Sequence, residues 1–245
     1  MIQFLPFDTA LFGYRVGKLQ LHKSVARIES IQEQARNFDL IYVMGKPGLV
    51  RMGGWSPIST RVDWVKIIQK TDLETAPENQ GDIQLYEQEA SGTLSLKDQK
   101  QLRELVLTSG QWSRFNQDPL LANHEYEKLY TTWWETIKSQ KHRVIVARRN
   151  GNLLGFVTFR LMRGRGYVDL FAVKGSEQGK GIGQKLMCRV WEELYALGYP
   201  QIGLSTQKAN DRAMNFYKNA GFQPVKETLI AHWRPRLKDT PNLIN

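Results

Sequence analysis

The most informative stretch of this chain is Val168-Asp-Leu-Phe-Ala-Val-Lys-Gly-Ser-Glu-Gln-Gly-Lys-Gly-Ile-Gly183, followed by an amphipathic run from Gln184 to Leu197. Its first six residues are mostly apolar and stand between glycines, which predicts a buried strand. Beyond the glycine-rich turn, apolar residues recur every three or four positions and predict a helix. A strand that leads through a turn into a helix brings unpaired backbone amides and the positive end of the helix dipole together. Both favour an anion such as a phosphate.

The glycine spacing excludes two well-known phosphate loops. A Walker loop needs four residues between its glycines, whereas three residues separate Gly175 from Gly179. A dinucleotide fingerprint needs a further glycine three positions on, and none follows Gly181 or Gly183 at that distance. The pattern that remains between strand and helix is Gln178-x-x-Gly181-x-Gly183.

This remaining pattern resembles the acetyl-CoA signature of the GNAT acetyltransferase superfamily, Arg/Gln-x-x-Gly-x-Gly/Ala. The stretch from Asn210 to Phe222 resembles the second signature of that family, Asn-x-x-Ala-x-x-x-Tyr-x-x-x-Gly-Phe. The resemblance implies acetyl-CoA as a co-substrate, held by the amides of the turn, the end of the preceding strand and the second signature. The cofactor-binding residues implied in this way are Phe171, Ala172, Val173, Gln178, Gly179, Lys180, Gly181, Ile182, Gly183, Asn210 and Tyr217. A glycine-rich connection without a ligand is the alternative interpretation of the turn.

Composition places the chain among globular proteins. Of its 245 residues 41% are hydrophobic, enough for a large core in one or two domains. The single cysteine, Cys188, excludes an internal disulfide and suits a reducing compartment. No run approaches the roughly 20 apolar residues of a membrane span, and no basic region precedes a long apolar segment at the N-terminus. We therefore expect a cytoplasmic protein without a membrane span.

The formal net charge of +10 favours anionic ligands. Residues 81–245 hold 24 Lys and Arg against 16 Asp and Glu, and residues 1–80 hold 10 against 8, so most of the excess accompanies the phosphate turn. CoA and nucleotide-sugars are polyanions. The sequence has no zinc-finger spacing, no aromatic RNA-recognition signature and no long basic tract, and we expect no binding of nucleic acid. Its histidines and cysteine show no metal-ligand spacing, which predicts that there is no metal site.

Before residue 80 the pattern predicts a small α/β unit. Residues 1–21 indicate a strand, a turn and a second strand, and Ser24 is a plausible cap for a helix through Arg36. Two further strands are predicted at Asp39–Gly45 and Val62–Gln69. The polar stretch from residue 71 to 80 contains a proline and is typical of a linker. We therefore predict a smaller N-terminal α/β domain over 1–80, which contributes to the acceptor side, and a GNAT domain over 81–245.

The second domain is predicted as a mixed α/β sheet. Its elements follow the order strand, helix, helix, three strands, helix, strand, helix and strand, and this succession resembles the GNAT acyl-CoA N-acyltransferase fold over about 160 residues. The predicted elements are Ile83–Gln88, a helix capped by Ser95 and ending at Thr108, a helix over Asn123–Ser139, strands Val144–Ala147, Leu154–Leu161 and Tyr167–Val173, the helix after the turn, a strand Gln201–Thr206, a helix Asp211–Asn219 and a closing stretch Phe222–Trp233. Asn150-Gly151 predicts a hairpin between the first two of these strands.

Acetyl transfer needs an acid for the departing thiolate and an amine without its proton. The resemblance places Tyr217 beside the thioester sulfur and makes it the candidate acid, although a tyrosine on a helix is often a packed aromatic. Asp169 stands two residues before Phe171, and strand alternation predicts that both lie on one face beside the acetyl group. Asp169 is our candidate base, a buried structural carboxylate is its alternative interpretation, and water could also serve.

The acceptor must be inferred from segments outside the shared core. The predicted acceptor-binding residues are Trp112, Arg114, Phe115 and Tyr130. These segments, with Asp8-x-x-Leu-Phe-Gly13 and Ser205-Thr-Gln207, resemble two-domain bacterial acetyltransferases that act on dTDP-4-amino-4,6-dideoxygalactose. The resemblance implies a nucleotide-sugar as the small-molecule acceptor, and a guanidinium beside aromatic rings suits a diphosphate linked to a base. Another amine acceptor, a non-catalytic acyl-CoA-binding module and a homodimeric assembly stay open.

Overall fold

The computed structural model describes residues 1–22, 28–74, 84–89, 95–140 and 142–236. In them, ten strands form one mixed sheet with the order β1-β2-β3-β10-β4-β9-β8-β7-β6-β5. The strands are β1 (Gln3–Phe4), β2 (Val16–Gln20), β3 (Leu40–Gly45), β4 (Pro57–Ile67), β5 (Gln84–Glu89), β6 (Arg143–Arg149), β7 (Asn152–Met162), β8 (Arg165–Val173), β9 (Gln201–Gln207) and β10 (Gln223–Trp233). The helices are α1 (Pro6–Phe12), α2 (Ile28–Ala35), α3 (Pro47–Met52), α4 (Lys70–Glu74), α5 (Leu96–Gly110), α6 (Arg114–Gln117), α7 (Glu125–Ser139), α8 (Ile182–Ala196) and α9 (Asp211–Asn219).

The C-terminal strand β10 lies between β3 and β4 and is antiparallel to both. The other edge of β4 pairs with β9, so strands from the beginning and the end of the chain alternate in one sheet. The predicted mixed α/β architecture is confirmed. The boundary between a domain over 1–80 and one over 81–245 stays a prediction, because residues 75–83 lie outside the described part of the chain.

The sheet buries side chains on both of its faces. Side chains alternate along a strand, and β6 shows this with Val144 and Val146 in the cluster that α5 and α7 cover. Ile145 and Ala147 point the other way, into the cluster that α8 covers. The molecule therefore has an α8 face and an α5–α7 face, and each holds a separate hydrophobic core.

Strand β8 carries a bulge at Asp169. Val168 pairs with Phe159 of β7, and Leu170 pairs with the residue before it, Thr158. Asp169 is thus an additional residue in the ladder, and such a residue shifts the alternation of side chains. The backbone N–H of Leu170 donates to the hydroxyl of Thr158 at 3.0 Å, so the buried donor at the bulge has a partner.

The pairing of β8 with β9 is parallel and short. Gly166 pairs with Ile202 and Tyr167 with Gly203. Beyond these pairs β8 stays with β7 and β9 stays with β4, so the two strands diverge and a gap opens between them.

Several local predictions can be compared directly with the structure. The predicted turn near the N-terminus is wrong: the chain forms α1 there, because Pro6 fits the first turn of a helix and Gly13 ends it with a φ of 79°. The Asn150-Gly151 hairpin is confirmed, with φ angles of 51° and 70°. The cap at Ser95 is confirmed, because its side chain accepts from the backbone of Asp98. The predicted cap Ser24 lies outside the described residues.

Replacing Thr158 by Val should lower the free energy of unfolding by about 1–3 kcal/mol, because valine keeps the volume but leaves the buried N–H of Leu170 without an acceptor. Equilibrium denaturation measures the change. Thr228→Val is the matched control, since the hydroxyl of Thr228 is buried and makes no hydrogen bond. The control should be neutral or stabilising, and equal losses in both variants would contradict the role given to Thr158.

Candidate functional site

A cavity of about 720 Å³ lies at the gap between β8 and β9. Its walls come from the end of β8, the turn after it, the start of α8, β9, the start of α9 and the segment from α5 to α7. The predicted site residues that line it are Trp112, Tyr130, Asp169, Phe171, Ala172, Val173, Gln178, Gly179, Gly181, Ile182, Gly183, Asn210 and Tyr217. Lys180, Arg114 and Phe115 are not among the lining residues.

The turn after β8 brings backbone amides to the cavity. A single 3₁₀ turn over Gly175–Glu177 leads to Gln178, whose side chain donates to the backbone oxygen of Val173 at 2.9 Å and ties the turn to the end of the strand. Gly179 and Gly181 have φ angles of 81° and 76°, a region that favours glycine, and a Cβ on either would meet nothing within 4 Å. The helix α8 then starts directly, so its free amides and this open space suit a phosphate group.

Lys180 points away from this cradle. Its side chain is exposed and forms an ion pair with Glu177 at 3.2 Å. Glu177 also pairs with Arg149 at 3.2 Å. Lys180 is therefore placed beside the entrance of the turn rather than in the lining, and its predicted contact with the cofactor stays a prediction.

Tyr217 lies in the α8-face core with one side toward the cavity. It is 6% exposed and packs against the rings of Trp64, Phe171, Phe216 and Phe222. Burial raises the pKa of its phenol well above the usual value, so the group keeps its proton at neutral pH. A protonated phenol at a cavity wall is able to donate.

Asn210 has a structural task that the sequence did not reveal. Its side-chain oxygen accepts from the backbone N–H of Ala213 at 3.1 Å and caps α9. The amide nitrogen of the same side chain is the part left for a ligand in the cavity.

Asp169 lies on the α5–α7 face. Its carboxylate pairs with Arg160 at 2.7 Å, and Nδ1 of His142 lies 3.2 Å from Oδ2 without hydrogen-bond geometry. Burial raises the pKa of Asp169 to about 6, although the positive charge of Arg160 acts in the opposite direction. Burial lowers the pKa of His142, and the positive charge of Arg160 acts in the same direction.

The prediction that Asp169 and Phe171 share one face of β8 is wrong. Phe171 packs with the α8-face core, whereas Arg160, the partner of Asp169, follows the α8-face residue Phe159 and so lies on the other side. The bulge at Asp169 breaks the strict alternation on which the prediction depended. Both residues still line the cavity, because the cavity passes through the gap between the strands.

The predicted acceptor residues divide into two pairs. Trp112 is 39% exposed and Tyr130 is 7% exposed, and both line the cavity. Arg114 is half-buried and stacks on the rings of Tyr42 and Phe115, at 4.7 and 4.1 Å from the ring centres. Phe115 is 2% exposed and belongs to the core between α1, β3 and α7. The predicted contact of Arg114 and Phe115 with the acceptor therefore has no support from their position.

A buried polar cluster holds the acceptor-side segment against the sheet. Asp118, just after α6, accepts from Nδ1 of His232 and from Arg234, both at 2.5 Å. Burial lowers the pKa of His232 to about 4, so the ring is neutral and donates through Nδ1. Burial alone would raise the pKa of Asp118, but the hydrogen bonds from His232 and Arg234 together have a larger effect and lower this pKa to about 2. The C-terminal end of α6 is thus tied to the end of β10.

Three residues that were not among the predicted site residues also line the cavity, although Ser205 and Gln207 belong to a segment that carries the resemblance. Trp133 is 36% exposed and stacks on Tyr130 with ring centres 5.0 Å apart, so it extends the aromatic wall. Ser205 and Gln207 lie two residues apart on β9, hence on one face. The polar segment Ser205-Thr206-Gln207 has no apolar–polar alternation that would single these two residues out.

Gly181→Glu should abolish acetyl-CoA binding, because a carboxylate at the turn repels the pyrophosphate and the backbone φ of 76° disfavours any side chain. Calorimetry measures the affinity. Gly164→Glu is the matched control, since Gly164 has a φ of 77°, equally open space and a position in the β7–β8 turn. Near-native affinity in folded Gly181→Glu protein would contradict the phosphate-turn assignment.

The sequence of this chain is similar to those of known acetyltransferases and of one curated protein. Residues 108–222 match the model of the Acetyltransferase (GNAT) family. The spore coat polysaccharide biosynthesis protein SpsD of Bacillus subtilis (strain 168) is 29% identical over 139 residues, which cover 56% of this chain and 48% of SpsD. The match therefore spans about half the length of this curated relative.

Solved structures share the fold at low identity. A functionally unknown conserved protein from Staphylococcus epidermidis ATCC 12228 is 12% identical with a TM-score of 0.64, over 90% of this chain and 84% of that one. A GCN5-related N-acetyltransferase from Sphaerobacter thermophilus is 17% identical with a TM-score of 0.58, over 85% and 65%. A tandem GNAT protein from the clavulanic acid biosynthesis pathway is 14% identical with a TM-score of 0.61, over 91% and 76%. Both signature stretches, residues 178–183 and 210–222, fall inside the part of the chain that matches the GNAT acetyltransferase family model.

Proposed function

We propose that the protein transfers the acetyl group of acetyl-CoA directly to the amine of a nucleotide-linked amino-deoxysugar. The observation that carries this proposal is the single cavity that joins the phosphate turn, Tyr217, Asp169 and the aromatic wall around Trp112. Acetyl-CoA supplies an activated thioester, and the family to which the matched domain belongs uses it as donor.

The donor side of the cavity is formed by the turn and the end of β8. The amides at the start of α8 face the space left open by Gly179 and Gly181 and would hold the pyrophosphate. Beyond Tyr167 the edge of β8 that faces β9 makes no ladder pairs, so its backbone groups up to Ala172 can bind the amide-containing pantetheine arm.

The protein contributes two proton-transfer groups. Asp169, ionised above a pKa of about 6, accepts a proton from the acceptor amine as its nitrogen bonds to the acetyl carbon. Tyr217 donates its phenolic proton to the sulfur as the carbon–sulfur bond breaks, and regains a proton from water afterwards. The buried positions of both groups increase the strength of their interactions with charge in the cavity.

The acceptor side favours a large, partly planar substrate. Trp112, Tyr130 and Trp133 offer ring faces on which a base or a sugar can stack. The name of the relative SpsD concerns polysaccharide biosynthesis, which agrees with a sugar as acceptor. The resemblance to acetyltransferases of dTDP-4-amino-4,6-dideoxygalactose makes this sugar nucleotide the first acceptor to test.

The decisive experiment compares acceptors by release of free thiol from acetyl-CoA. dTDP-4-amino-4,6-dideoxygalactose should give a higher kcat/KM than a polyamine, an aminoglycoside or a peptide with a free N-terminus. Faster turnover with one of these other amines would replace the proposed acceptor. Binding of CoA without thiol release in the presence of any amine would favour a non-catalytic binding module.

Tyr217→Phe should lower kcat and kcat/KM by roughly 10²–10⁴ with little change in KM, because the ring keeps its packing while the donated proton is lost. Steady-state kinetics measures the effect. Tyr199→Phe is the matched control, because Tyr199 also packs at the edge of the α8-face core and lies outside the cavity lining. Native turnover of Tyr217→Phe under conditions where chemistry is rate-limiting would make the phenol structural.

The pH profile tests Asp169. The group acts as a base only when ionised, so kcat/KM should rise with pH through about 6. The charged and titratable groups around it are Arg160 and His142, and burial lowers the pKa of His142. In Asp169→Asn the rise of kcat/KM near pH 6 should disappear, whereas the pH dependence that comes from ionisation of the acceptor amine should remain. An unchanged profile in the variant would assign the base to water.

A further inference from the structure

Three hydrogen-bonded side chains, those of Asp63, Ser205 and Tyr167, lie beside the cavity on the α5–α7 face. The hydroxyl of Ser205 donates to Oδ1 of Asp63 at 2.7 Å, and the hydroxyl of Tyr167 lies 2.7 Å from the same serine oxygen. Asp63 is also paired with Arg61, whose Nε lies 3.1 Å from Oδ1. Of these residues Ser205 lines the cavity.

The direction of each hydrogen bond among these three side chains is fixed by chemistry. A carboxylate paired with a guanidinium only accepts, so Ser205 must use its single hydrogen on Asp63. Tyr167 must then be the donor in its contact with Ser205. The serine oxygen has two lone pairs, and one of them stays available to a molecule in the cavity.

The hydrogen-bonded side chains of Asp63, Ser205 and Tyr167 lie where β8 and β9 separate. Tyr167 and Gly203 form the last pair between β8 and β9, and the side chain of Tyr167 reaches from there to Ser205, two residues further along β9. The serine is thus held at the start of the gap through which the cavity passes.

A second acceptor atom lies on the same strand face. The side-chain oxygen of Gln207 is buried, has no hydrogen-bond partner in the structure, and belongs to a residue that lines the cavity. A buried oxygen without a partner costs free energy, and a ligand that donates to it would recover that cost. Ser205 and Gln207 together present lone pairs, which favour N–H and O–H groups and disfavour phosphate or carboxylate.

We propose that Ser205 binds the reacting amine of the acceptor by accepting one of its N–H groups, and that Gln207 accepts from a neighbouring hydroxyl. Asp63 and Tyr167 are positioning residues that act through Ser205. This inference rests on the proposed acetyl transfer. A neutral primary amine has two N–H groups and one lone pair, so Ser205 takes the first N–H, Asp169 the second, and the lone pair is left for the acetyl carbon.

The reaction balances without any further reactant. The nitrogen–carbon bond forms and the carbon–sulfur bond breaks, Asp169 receives the amine proton, and Tyr217 gives its proton to the sulfur. Ser205 keeps its own hydrogen on Asp63 throughout and only orients the nitrogen. Orientation of this kind should discriminate a primary amine from its N-methyl derivative, which has a single N–H.

The first test uses Ser205→Ala with dTDP-4-amino-4,6-dideoxygalactose and its N-methyl derivative as probes. We expect kcat/KM for the primary amine to fall about 10-fold, and the preference for the primary over the methylated amine to fall by a similar factor. The affinity for acetyl-CoA should stay within twofold of native, by the roughly additive behaviour of distant sites. Ser139→Ala at the exposed end of α7 is the matched control and should leave every value unchanged.

The second test is a double-mutant cycle with Asp63→Asn. Alone, this variant should lower kcat/KM several-fold because Ser205 loses its fixed orientation, and in the Ser205→Ala background it should have no further effect. Asp98→Asn, which breaks the ion pair with Arg148 outside the cavity, is the control. Tyr167→Phe should behave like Asp63→Asn.

The outcomes separate this inference from the proposed function. Absence of thiol release by the native protein with the primary amine overturns the proposed acceptor, and this inference with it. Native turnover with an unchanged rate and unchanged N-methyl discrimination in Ser205→Ala overturns the inference alone. Additive losses for Asp63→Asn and Ser205→Ala overturn the positioning role of Asp63.

Discussion

The short parallel contact between β8 and β9 controls the architecture of the site. Parallel strands normally continue pairing along their shared length, but here the ladder ends at Tyr167 and Gly203. Backbone groups beyond that point on the facing edges lose their partners in the sheet, and buried polar groups of this kind require others. A ligand with amide groups supplies them, so the gap both admits a molecule and favours one particular backbone-like chemistry. The cavity therefore exists because β8 and β9 separate after Tyr167 and Gly203.

The bulge at Asp169 gives the two faces of the sheet different tasks. Without it, Asp169 and Phe171 would point the same way, and the carboxylate would enter the apolar core around Tyr217. With it, Asp169 turns to the α5–α7 face, where Arg160 pairs with it. The hydroxyl of Thr158 supplies the hydrogen bond that the bulge removes from the ladder. The α8 face keeps the glycine-rich turn and the apolar core, and the α5–α7 face keeps the polar groups Asp169 and Ser205.

Sequence patterns predicted the strands, the turn and the helices near the signatures, because periodicity, glycine spacing and caps such as Ser95 act locally. They failed at the bulge, since a bulge depends on how two strands register against each other. They did not predict that Arg114 stacks on the rings of Tyr42 and Phe115, because this contact depends on how α6 lies against β3 and not on a local signal. The network from Asp63 to Ser205 joins residues 142 positions apart, and only the order of the strands brings them together.

Burial raises the pKa of both the candidate acid, Tyr217, and the candidate base, Asp169, yet the two groups have different protonation states at neutral pH. It raises the pKa of Tyr217, where no charged group opposes it, and the phenol therefore keeps its proton throughout the neutral range. It also raises the pKa of Asp169, but Arg160 limits the rise to about 6, and the carboxylate is ionised at neutral pH. One group can therefore donate and the other accept at the same pH. They belong to opposite faces of the sheet, with the gap between them. In the proposed reaction the amine would lose its proton to Asp169 on the α5–α7 face, and the sulfur would receive a different proton from Tyr217 on the α8 face.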